Sequence, residues 1–173
     1  MADNPIVAFY RDGGTDHRGR SLGQLQSQSL RELEEVHDYI QWLFPLDKPS
    51  SASRHAPILT SADIQVFVQG ADLRERLLQS LRTMLNFYGL TLGGTSESPT
   101  VLRSPTFPSR AAVWLRPSNH NFLRLTKILR SLSLLGCRDH ARALLGCLEG
   151  IYADNAHIIG KQTMQYWRSA CLD

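Results

Sequence analysis

From Ser29 onward the apolar residues Leu33, Val36, Ile40 and Leu43 return at spacings of three and four, while Glu32, Glu35 and Asp38 fall on the other side. That is the period of an amphipathic helix, and Pro45 stops it. Residues 49–57 read as a polar loop. A short helix then runs from Thr60 or Ser61 through Phe67, with Asp63 as an acidic first-turn residue. Leu73, Leu77, Leu81, Met84, Leu85 and Tyr88 form the most continuous stripe, and Gly89 sits where a left-handed cap belongs. Leu125, Ile128, Leu129, Leu132 and Leu135 predict a helix from about 120 to 135, capped by Ser118 or Asn119 and ended by Gly136. Two further helices are expected over about 139–152 and 157–171. Alternation of β-branched residues is nearly absent. The pattern therefore predicts an all-α, single compact multi-helix domain of about six helices over 29–173. Residues 1–28, interrupted by Gly13, Gly14, Gly19 and Gly23, read as an irregular N-terminal arm. Near 93–117, Pro99, Pro105, Pro108 and Pro117 predict an exposed loop with a short turn around Trp114.

Composition narrows the class. With 173 residues, 42% hydrophobic and 20% charged, the chain is too apolar for a disordered tract and too polar for a membrane protein. The longest uncharged stretch, Thr83 to Ser96, holds three glycines and falls well short of the ~18–20 apolar residues of a membrane span. The N-terminus lacks a basic n-region and an apolar core, so no secretory signal is expected. The cysteines Cys137, Cys147 and Cys171 are odd in number and have no CxxC spacing, which points to a reducing compartment. A soluble intracellular protein is expected.

The net charge of +3 is unevenly spread. Residues 1–48 carry 5 basic and 8 acidic side chains, whereas 103–142 carry 8 basic ones and the single acid Asp139.

Three blocks carry a resemblance. His37-Asp38-Tyr39-Ile40-Gln41-Trp42-Leu43-Phe44-Pro45 resembles the HxYIQWLFP signature of the opioid growth factor receptor conserved-domain family. Met84 to Leu90 (MLNFYGL) and His120 to Leu132 (HNFLRLTKILRSL) are similar to two later blocks of that family, in the same order, and Phe9-Tyr10-Arg11 is similar to its opening. The resemblance covers about 9–136. It implies a binding domain for enkephalin-type peptides, with nuclear or membrane association, and no enzymatic reaction.

Among the candidate residues, Tyr39 and Trp42 stand three apart in the first block, with His37 and Gln41 four apart offering hydrogen bonds. They read first as core and second as an aromatic pocket. Trp114, His120 and Asn121 would complete such a groove, with Arg124 and Lys127 holding a ligand carboxylate or phosphate. Arg124, Lys127 and Arg130 recur every three residues, as a solvated helix face or, less favoured, an anion- or nucleic-acid-binding one. Either His37 or His120 could serve as acid/base in an enzyme, the alternative function. No HExxH, GxSxG or P-loop occurs, so neither a metal, a cofactor nor a catalytic nucleophile is assigned. The preferred expectation is a non-enzymatic binding module for a peptide or protein ligand.

Overall fold

The computed structural model describes residues 4–11, 13–51 and 54–171. Among them the chain forms ten helices and one two-stranded sheet, in two compact units divided between Thr83 and Met84. The helical class agrees with the expectation; the number of elements does not.

In the first unit the expected irregular arm contains two helices, α1 (Pro5–Arg11) and α2 (Leu22–Gln26). Seven and five residues are too few to show a period, but α1 buries Ile6, Val7, Phe9 and Tyr10. Ser21 caps α2 in a reciprocal box with Gln24. The ring of Phe9 stands edge-on to Trp42 at 5.3 Å and that of Tyr10 edge-on to Phe67 at 5.1 Å, a geometry that aligns ring edges with π faces. The Tyr10 hydroxyl donates to the Leu43 carbonyl.

The single helix expected over 29–44 is two. α3 (Leu30–Glu35) opens on a Ser29–Glu32 capping box, and the chain then turns extended at Val36, with ψ 134°, before α4 (Ile40–Leu43). Tertiary bonds override the periodicity. The Tyr39 hydroxyl donates to the Leu33 carbonyl at 2.7 Å, and Asp38 is drawn to Arg18 and Arg20. α5 (Ser61–Gln69), boxed by Thr60 and Asp63, and α6 (Ala71–Tyr88) follow the expected pattern.

In the second unit the expected loop near 93–117 is ordered. β1 (Leu90–Gly94) pairs antiparallel with β2 (Pro99–Arg103), and α7 (Phe107–Trp114) follows. Each proline sits where its missing N–H is harmless: Pro99 opens a strand, Pro105 is in a turn, Pro108 is in the first helical turn, and Pro117 lies beyond the helix end.

Three consecutive carbonyls at the end of α6 are satisfied from this segment. Arg110 Nε donates to Phe87 at 2.7 Å and Trp114 Nε1 to Tyr88 at 3.1 Å. The Ser104 amide and hydroxyl both donate to Gly89 at 2.9 Å. Gly89 itself is left-handed, with φ 76°.

The remaining helices are α8 (Asn121–Leu134), α9 (Arg138–Ile159) and α10 (Lys161–Ala170). The break expected near 153–156 is a kink inside α9 at Asn155, whose side-chain amide donates to the Ile151 carbonyl at 2.9 Å. Tyr88, Trp114, Phe122 and Trp167 form a chain of edge-on rings, with neighbouring centroids 5.3, 6.4 and 5.9 Å apart. Trp167 Nε1 donates to the Phe122 carbonyl at 3.0 Å.

A Cβ at Gly89 would stand 2.6 Å from Phe107 Cα in a backbone region that side chains rarely adopt. Gly89→Ala is therefore expected to lower stability by at least about 2 kcal/mol, read from chemical denaturation followed by circular dichroism.

Candidate functional site

The candidate residues fall in both units. In the first, Tyr39, Gln41 and Trp42 are buried, while His37 lies exposed between α3 and α4. Around Trp42 the structure assembles residues from the arm. His17 stacks on the Trp42 ring at 6.2 Å, and His55 stacks on His17 at 4.8 Å. Asp38 holds the other side of this patch, 3.4 Å from His17 Nε2, 2.9 Å from Arg18 Nε and 2.9 Å from Arg20.

Asp16 organises the loop beneath. Its carboxylate accepts the backbone amides of Arg18 and Arg20 at 2.9 and 2.8 Å and the Arg20 guanidinium at 2.6 Å. Burial raises the pKa of such a group, but these bonds and the Arg20 charge outweigh it and hold the carboxyl below its usual range.

In the second unit Trp114 and Asn121 are buried and His120 is exposed. The solvated cationic face expected on α8 is corrected here: Arg124 is 4% and Lys127 is 7% exposed. α8 buries Asn121, Arg124, Lys127 and Ser131 as well as its leucine stripe, and only the side carrying Leu123 is open. The Arg124 guanidinium donates to Asn121 Oδ1 at 3.2 Å. Burial, reinforced by the neighbouring Arg124 charge, pushes the Lys127 ammonium below its ordinary pKa. Buried cations cannot offer an open anion-binding face of the kind the spacing suggested.

An open groove lies elsewhere in this unit. It has a volume of about 440 Å³ and is walled by all five residues of β2 and by Ala143, Gly146, Cys147 and Gly150 of α9. A Cβ built on Gly146 or Gly150 would meet nothing within 4 Å. Arg103 is the charged residue of the lining; its guanidinium lies 2.7 Å from Asp154 and 4.9 Å from the Phe107 ring centre. Burial pushes the Cys147 thiol pKa up, while the Arg103 charge pulls it the other way. The sequence reading missed these residues. The available signal was a pair of glycines four apart inside a helical pattern, each costing about 1 kcal/mol of helix propensity.

The opioid growth factor receptor (OGFr) conserved-region model matches residues 20–173. The chain belongs to the OGFr conserved-region family. It is 41% identical to the human opioid growth factor receptor over 150 residues, 83% of this chain and 21% of that protein. Over 113 residues it is 40% identical to the mouse receptor, 65% of this chain and 17% of that one. It is also 33% identical to the opioid growth factor receptor-like protein 1 of Xenopus tropicalis over 138 residues, 79% of this chain and 26% of the relative. The chain thus spans about a fifth of the length of the curated relatives it matches. No solved structure matches. Among the described residues, no helix is long and apolar enough to cross a membrane, and no group of three or more His, Cys, Asp or Glu could hold a metal ion.

Most aromatic and apolar positions of the OGFr-like blocks are buried: Tyr39, Ile40, Trp42, Leu43 and Phe44 in the first, Met84, Leu85, Phe87 and Tyr88 in the second.

Because the Asp16 carboxyl is held below its usual range, its stabilisation is present at neutral pH and is lost as pH falls through that lowered value. Asp16→Asn is expected to cost about 2 kcal/mol at pH 7 and to flatten the decline in stability below about pH 4, measured by urea unfolding across pH. Gly146→Ala and Gly150→Ala have room and improve helix propensity, so each is expected to raise stability by roughly 0.5–1 kcal/mol in the same assay.

Proposed function

We propose that this OGFr-family chain is a non-enzymatic binding module that takes a peptide or protein segment in the groove between β2 and α9. The observation that carries this reading is the groove floor. Gly146 and Gly150 weaken the interior of a helix, yet no neighbouring atom requires them to be small; an occupant lying on the helix would. The volume lies within the range of ligand-binding clefts, ~300–1,000 Å³, and the walls are mainly apolar with one cation. In this reading the block residues Tyr39, Trp42 and Asn121, and Trp114 with them, hold the scaffold rather than the ligand. Receptor activity toward an opioid peptide, suggested by the relatives' names, is part of the proposal and goes no further than a peptide class.

Selection of a displayed random peptide library against the purified protein tests the reading. Clones are expected to enrich on the wild type and to lose at least about tenfold in affinity on Gly146→Leu, which fills the groove where a side chain has space. Enrichment that is indifferent to Gly146→Leu, or no enrichment, sinks the proposal, provided that the variant keeps the wild-type circular dichroism spectrum.

A further inference from the structure

The groove has a polarity that follows from the register of the hairpin. Successive strand residues point to opposite faces of a sheet, yet all five residues from Pro99 to Arg103 line one groove. A groove touched by both faces runs along the strand's edge. One edge of β2 pairs with β1, and the strand order is β1-β2 alone among the described residues, so the groove follows the edge without a partner strand.

The ladder phase says which backbone groups stand on that edge. Leu90 is opposite Arg103, which places Gly89 opposite Ser104 and Thr95 opposite Ser98 in the same register. The Ser104 amide donates to Gly89 and the Thr95 amide to Ser98, so those are hydrogen-bonded pairs. In an antiparallel ladder such pairs alternate with non-bonded ones. Thr100 and Leu102 therefore turn their amides and carbonyls toward β1, while Pro99, Val101 and Arg103 turn theirs outward. Pro99 agrees with this phase, since its missing N–H falls on the outward side.

We infer that the groove binds an extended peptide segment that adds a third strand to β2, hydrogen-bonded to Val101 and Arg103 and carrying an acidic side chain at the Arg103 end. Strand addition gives affinity through main-chain bonds and specificity through alternate side chains. The glycines of α9 leave space for one inward-facing side chain of such a strand, and Arg103, whose guanidinium already donates to Asp154 at 2.7 Å, has further N–H donors for a second carboxylate. This inference rests on the proposed binding function and adds its mode.

The test uses an enriched library peptide that Gly146→Leu weakens, with the intact protein. On saturation, amide exchange at Val101 and Arg103 is expected to slow at least about tenfold, while Thr100 and Leu102, already paired with β1, change little. Methylating the peptide's backbone nitrogens one at a time is expected to abolish binding at alternate positions only. Arg103→Gln is expected to weaken an acidic peptide about threefold and its amide analogue not at all. Groove binding without slowed exchange at Val101 and Arg103, or with no alternation in the methylation scan, overturns strand addition and leaves the binding module standing. No groove-dependent peptide at all removes both.

Discussion

The second unit depends on how the end of α6 is closed. A helix leaves its last carbonyls without intrahelical partners, and here those of Phe87, Tyr88 and Gly89 are taken by Arg110, Trp114 and Ser104. All three donors come from the segment after β2, so the bonds that finish the helix also fix both ends of the hairpin. Trp114 is then positioned against Tyr88 and Phe122, and Phe122 against Trp167, which carries the order through α8 to α10. The groove between β2 and α9 is downstream of this closure, because β2 is anchored at its Ser104 end.

This closure explains why part of the fold was legible in the sequence and part was not. Helices with a full stripe, such as those built on Leu73 to Tyr88 and Leu125 to Leu132, were readable because their burial repeats every turn. In the 93–117 segment four prolines exclude a single helix, but a strand-turn-helix arrangement satisfies the same exclusion as well as an exposed loop does. What selects that arrangement is the demand of distant carbonyls for donors, which no local window contains. The same holds for the split between α3 and α4. The apolar spacing continues across Val36, but the Tyr39 hydroxyl reaches the Leu33 carbonyl and Asp38 reaches Arg18 and Arg20 only if the helix ends first.

The candidate residues show a related limit. Tyr39, Trp42 and Asn121 sit in family blocks and Trp114 is an aromatic outside them, and all four are buried. Arg124 and Lys127 looked exposed because charge usually is; the polar neighbours Asn121 and Ser131 on α8 are buried with them. Recurrence in a family motif and cationic spacing each report that a position is constrained, without saying whether core or ligand imposes the constraint.

The glycines of α9 distinguish those two causes more directly. A core constraint has neighbours: a Cβ at Gly89 would press on Phe107 and Arg110, and one at Gly70 would lie 2.8 Å from the Val66 carbonyl. Gly146 and Gly150 have none, and their helix would be more stable with alanine at either position. Stability that a fold leaves unclaimed beside an open groove fits a surface whose shape is set by what occupies it. In the proposed strand addition the outward amides of Val101 and Arg103 face the same space, so floor and wall would make complementary demands on an occupant: little bulk toward the helix, and main-chain hydrogen bonding toward the strand.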